Sequence, residues 1–130
     1  MALCAKSNYA IKKWDEQTWD GQVPSAVKGA KMMRISVITS YEGELQAEGQ
    51  LEYLMSSDEN DKSTMVGLEK VTGTLAGQSG SFVLQHIGVF DGDVKVKWSV
   101  VPGSGTGELR GLRAEGTLDE NPINFEYRFE

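Results

Sequence analysis

Apolar and polar residues alternate through most of this chain, and no stretch carries apolar side chains at a sustained helical spacing. Period-two alternation is what a strand with one dry face requires, because successive side chains point to opposite sides. The pattern predicts strands near 5–14, 30–41, 45–56, 65–76, 81–90, 94–101, 108–118 and 123–129. The last is the cleanest, with Ile123, Phe125, Tyr127 and Phe129 alternating with Asn124, Glu126 and Arg128. Val94, Val96, Trp98 and Val100 alternate with Lys95, Lys97 and Ser99 in the same way. Turn-forming residues separate the runs: Glu42-Gly43, the segment Gly77 to Gly80, Asp91-Gly92 and the segment Asp119 to Pro122. Such short links force antiparallel neighbours. About eight strands joined in order close into a barrel, which leaves no edge exposed. The expected fold class is all-β, a single antiparallel up-and-down β-barrel domain over residues 1–130. A β-sandwich is the structural alternative.

Turn centres then set the register. A tight turn between Gln78 and Ser79 places Leu75 opposite Phe82, Val71 opposite His86 and Glu69 opposite Gly88. Centring the 57–63 loop on Asn60 sets Leu51, Tyr53 and Met55 beside Glu69, Gly67 and Met65. The Asp119 to Pro122 turn groups Leu118, Gly116, Ala114 and Leu112 with Ile123, Phe125, Tyr127 and Phe129. Two joints stay open. A two-residue turn at Asp91-Gly92 sets His86 opposite Lys97, whereas a three-residue loop sets it opposite Trp98. The apolar run favours Trp98, and a slip of one residue would turn His86 outward. Around Glu42-Gly43-Glu44 the choice lies between Arg34 and the apolar Met33, Ile35 and Val37 as inward residues, and the apolar set is favoured.

Composition narrows the classes of function. A chain of 130 residues fits one domain, and it buries about two-thirds of its unfolded surface without needing disulfides. The net charge of −6 and scattered basic residues oppose a nucleic-acid surface. Lys28, Lys31 and Arg34 are the nearest thing to a cluster, and they read as an ordinary strand face. The single cysteine, Cys4, has no bridging partner in the chain and suits a cytoplasmic protein. No apolar segment in the first thirty residues suits a secretory leader or a membrane span.

Metal, cofactor and nucleophile signatures are absent from the sequence. The acidic loop from Ser57 to Ser63 begins like a calcium loop at Asp58 and Asn60. Lys62 and Ser63 then stand where a ligand and the glycine belong. The glycine-rich run from Pro102 to Glu108 lacks the Lys-Ser/Thr of a phosphate-binding loop, and its glycines fit a long hairpin or barrel-mouth loop. One histidine and no serine elbow exclude a nucleophilic triad. What remains is a pair, Glu69 and His86, diagonal neighbours on adjacent strands. Inside an apolar barrel they form either a general acid–base pair or a satisfied polar pair that pins the register. Tyr53, Trp98 and Tyr127 join them as candidate ligand-contacting residues, although aromatic side chains fill barrel cores by default.

Three segments carry a family resemblance: GLEKVTGTL from Gly67 to Leu75, GSFVLQHIG from Gly80 to Gly88, and VVPGSGTGEL from Val100 to Leu109. They resemble an uncharacterised bacterial family, a domain of unknown function whose fold is similar to the allene oxide cyclase barrel. The resemblance extends from about the second strand to the end of the chain. It implies no activity, because no catalytic motif of allene oxide cyclases is matched and the analogy is one of fold. Those enzymes confine a hydrophobic fatty-acid epoxide, and side-by-side association of such barrels would suit the outward Val83, Ile87 and Val89. The leading expectation is a barrel accepting a small apolar ligand, with no cofactor. A cyclase or isomerase using Glu69 and His86, and a non-catalytic homo-oligomeric module, are the alternatives.

Overall fold

The computed structural model describes residues 3–18, 30–60, 62–117 and 122–130. Eight strands follow in order: β1 Leu3–Thr18, β2 Lys31–Gly43, β3 Leu45–Ser57, β4 Ser63–Leu75, β5 Gln78–Asp91, β6 Asp93–Val100, β7 Leu112–Thr117 and β8 Ile123–Phe129. Each pairs antiparallel with the next, and β8 returns to β1 from Leu3↔Tyr127 to Ser7↔Ile123 to close the barrel. Closure gives the backbone donors and acceptors of consecutive strands their partners, which is why alternation alone suffices to build it.

Most of the expected register holds. Leu51, Tyr53 and Met55 face Glu69, Gly67 and Met65 across β3 and β4. Leu112 and Ala114 face Phe129 and Tyr127 across β7 and β8. His86 stands opposite Trp98, with Asp91 and Asp93 flanking Gly92. Met33, Ile35 and Val37 are the buried residues of β2, and Arg34 is outside. Lys28, Asp61, Leu118 and the turn residues 119–121 lie outside the described residues.

Two expectations are corrected. The β4–β5 turn is Ala76-Gly77, not Gln78-Ser79, so Leu75 pairs with Gln78, Val71 with Phe82, Gly67 with His86 and Glu69 with Leu84. Ala76 and Gly77 both take positive φ, 49° and 85°, the backbone that matches the twist of two-residue hairpins. The register therefore moves by four residues. An even shift preserves which face each side chain occupies, and Glu69 and His86 remain diagonal neighbours. The strand expected over 108–118 begins only at Leu112. Gly107–Leu109 forms a single 3-10 turn instead, with the Leu109 amide bonded to the Thr106 carbonyl at 2.9 Å. Thr106 is itself tied to Ser81 by backbone and side chain, so the glycine-rich loop lies along β5.

The interior has two unlike ends. One is solidly filled by Leu45, Val71, Leu75, Phe82, Leu109, Leu112, Phe125 and their neighbours. The other holds a smaller cluster of Met33, Ile35, Val37, Leu51, Tyr53, Met65 and Val96. On the outer face Leu54, Val66 and Ile87 are direct cross-strand neighbours and exposed, with Leu68 and Val89 beside them, while Val83 is half-buried. No helix among the described residues is long and apolar enough to cross a membrane.

Candidate functional site

Between the two clusters sits a polar layer drawn from three strands. Thr39 and Tyr41 continue the inward alternation of β2, Glu69 comes from β4 and His86 from β5. Glu69 is 0% exposed and His86 is 1% exposed. A carboxylate buried this deeply costs several kcal/mol unless it is paired and hydrogen-bonded. Here Thr39 Oγ1 donates to Glu69 Oε2 at 2.6 Å, and Tyr41 Oη donates to the same oxygen at 2.7 Å. The other oxygen, Oε1, lies 2.8 Å from His86 Nε2. With two hydroxyls donating into it, Glu69 is the acceptor of the cluster, and Nε2–H completes its set of donors.

The backbone makes room for this carboxylate. Gly49 on β3 pairs with Val71 and Thr39, and a Cβ there would run into Glu69 Oε2 and Thr39 Oγ1. The residue type at position 49 is thus set by a side chain twenty positions away. Burial first, and then the Glu69 charge, pushes the Tyr41 and Tyr53 phenols above the ordinary tyrosine value, so both keep their protons.

Above the polar layer the described residues do not fill the barrel. A cavity of about 550 Å³ is walled by Met33, Val37, Leu51, Tyr53, Met65 and Val96 and reaches Thr39, Tyr41, Glu69 and His86. The partly exposed Ile11, Trp14 and Phe90 also line it and mark its mouth. Ile11 and Trp14 share that face because β1 bulges between Ile11 and Lys13. Ile11 pairs with Thr39 and Trp14 with Val37, both inward positions of β2.

The sequence-predicted residues divide across this geometry. Tyr53, Glu69 and His86 come together on the cavity wall, and the Tyr53 and His86 rings meet edge-on at 5.7 Å. Trp98 and Tyr127 belong to the packed end instead, where Trp98 stacks on Phe125 at 5.0 Å. Thr39 and Tyr41 escaped notice, although extending the Met33, Ile35, Val37 alternation by two steps reaches both. Trp14 carried no such signal, because its inward side depends on the bulge. Two buried side-chain atoms, His86 Nδ1 and Trp98 Nε1, have no hydrogen-bond partner among the described residues. Nor do those residues contain a group of three or more His, Cys, Asp or Glu able to hold a metal.

Residues 5–130 match the family described as "Protein of unknown function (DUF3224)". The chain belongs to the DUF3224 family. A solved structure of a DUF3224 protein of unknown function from Shewanella oneidensis MR-1 is similar to it. The two share 31% identity and a TM-score of 0.75, over 100% of this chain and 98% of that one. No curated protein matches. The DUF3224 barrel is therefore established as a fold and family, and its chemistry has to be argued from the site.

Proposed function

We propose that this DUF3224 barrel binds a small, largely apolar molecule in the unfilled end of its interior. One observation carries the reading: a cavity of about 550 Å³ with apolar walls ends on a buried polar cluster. Ligand sites commonly span roughly 300–1,000 Å³ and combine apolar walls with a few fixed polar groups. Native mass spectrometry of the purified protein and a thermal-shift series with medium-chain fatty alcohols and acids test it. Leu51→Trp, which places an indole in the cavity, should abolish any shift while keeping the β-sheet spectrum. Absence of a shift with every compound, or an equal shift in the filled variant, would sink the reading.

The Glu69–His86 contact supports a second reading, a cyclase or isomerase confining a hydrophobic substrate as allene oxide cyclases do. Glu69 would orient the imidazole, and the two side chains would serve as the acid–base pair. Turnover of a hydrophobic epoxide or enone, lost in both His86→Ala and Glu69→Gln, is the expected result. Variants that change stability alone, with no turnover found in the parent protein, count against it.

A further inference from the structure

The outer wall of the barrel carries an apolar patch that the interior packing does not use. Arg34, Leu54, Val66, Ile87 and Lys97 form one row across β2 to β6, each directly opposite the next. With Leu68 and Val89 beside the row, five aliphatic side chains are each between 40% and 56% exposed. Contiguous exposed apolar surface marks a place of contact. Its surroundings are basic. Arg34 and Lys97 end the row, Lys95 faces Val89 across the β5–β6 ladder, and Lys70 follows Leu68 by two residues on the same face of β4. All four are exposed, and none has an ion pair among the described residues. Lys12, Lys13, Lys62, Arg113 and Arg128, by contrast, each hold an acidic partner. The chain as a whole carries −6, so this cationic ring is a local feature. Ile87, Val89, Lys95 and Lys97 share the lining of one recess of about 460 Å³, so the aliphatic and cationic groups adjoin.

We propose that this face docks on the surface of a bilayer bearing anionic lipids, its aliphatic side chains at the acyl boundary and its cations among the headgroup phosphates. The proposal is independent of what the cavity holds. Interfacial binding draws on buried apolar area and on attraction to anionic lipid together, and this wall offers both at one place. The outside of a closed barrel is convex, which suits a deformable surface, whereas a partner helix lies in a groove. A second copy meeting this face by a two-fold contact would set cation against cation. The acidic remainder of the chain does not prevent docking, because charges farther from the bilayer than the Debye length, about 8 Å at physiological ionic strength, are largely screened. Glu52, opposite Leu68, interrupts the ring, and Ser36 donates to it at 2.8 Å.

The test is co-sedimentation of the intact protein with vesicles of phosphatidylcholine alone and of an equal mixture with phosphatidylglycerol. The mixed vesicles should bind it at least about tenfold more tightly, and added salt should shrink the difference. Lys95→Gln/Lys97→Gln should weaken binding to mixed vesicles roughly twentyfold, a factor of about five for each cation removed. Arg113→Gln/Arg128→Gln removes the same charge from β7 and β8, away from the patch, and should leave binding unchanged. Ile87→Thr keeps a β-branched side chain on the strand and should weaken binding severalfold. No binding to mixed vesicles, equal binding to both kinds, equal losses in the two double variants, or unchanged binding of Ile87→Thr overturns the proposal. Sedimentation velocity without vesicles should give the same mass for the parent and Ile87→Thr. A dimer that Ile87→Thr dissociates would assign the face to a second copy and overturn the proposal as well.

Discussion

Glu69 occupies a position where an ionisable side chain is expensive, and its neighbours explain how the fold tolerates it. Three donors converge on two oxygens, and Gly49 leaves the space in which they do so. Removing one donor leaves a buried acceptor short, so Tyr41→Phe should destabilise the barrel by about 1–3 kcal/mol. Denaturant unfolding with an unchanged slope would register this; a loss below a few tenths of a kcal/mol would show that water replaces the phenol. The raised phenols also set a direction for alkaline stability. Tyr41 and Tyr53 hold their protons past the value near 10 at which an unfolded chain loses them. Their contribution is whole below that pH and is lost as pH rises from it towards the folded-state values. Tyr53→Phe should therefore flatten the fall of Tm above pH 10, and identical falls in both proteins would contradict the desolvation of Tyr53.

The elements of the barrel were legible where alternation was strong, and less so where the backbone departs from regular strand. β8 and the inner face of β2 follow from side-chain pattern alone. The β4–β5 turn does not, because the turn-forming run from Gly77 to Gly80 points to its own middle, whereas the ladder centres the turn between Ala76, which carries no turn signal, and Gly77. Ala76 pays for that choice with φ of 49°, a conformation that costs an L-residue about 1–2 kcal/mol. Asparagine tolerates it better and favours this turn with a following glycine. Ala76→Asn should raise stability by about 0.5–1 kcal/mol, read as a higher unfolding midpoint; a lower midpoint would mean that its backbone contact with Glu44 is disturbed. The β1 bulge is the clearest case of the opposite kind. One extra residue at Lys12 puts Trp14 on the cavity side, although strict alternation would place Lys13 there.

At the scale of the molecule, the described residues pack one end of the barrel and leave a cavity at the other. Filling the packed end with Phe82, Phe125, Trp98 and Leu75 supplies the apolar burial that holds the fold. The polar layer and cavity contribute less of it. Adding a methyl group to the cavity wall should recover some of what is forgone. Val37→Ile is expected to stabilise the protein by about 0.5–1 kcal/mol, measured by thermal unfolding. A destabilisation would show that the cavity wall has no slack.

The sequence by itself determined the all-β class, the order of eight strands, most of the inner face and the meeting of Glu69 with His86. Those follow from period-two alternation and short links, which act locally and survive an even slip of register. Tertiary structure alone decided that the described residues leave a cavity in one end of the interior, that Thr39 and Tyr41 complete the carboxylate's donors, and that Trp98 and Tyr127 belong to the packed end. Volume and hydrogen-bond satisfaction depend on residues brought together from distant strands, and no local pattern records them. The Glu69–His86 neighbourhood anticipated from turn positions thus becomes a polar cluster at the base of a cavity.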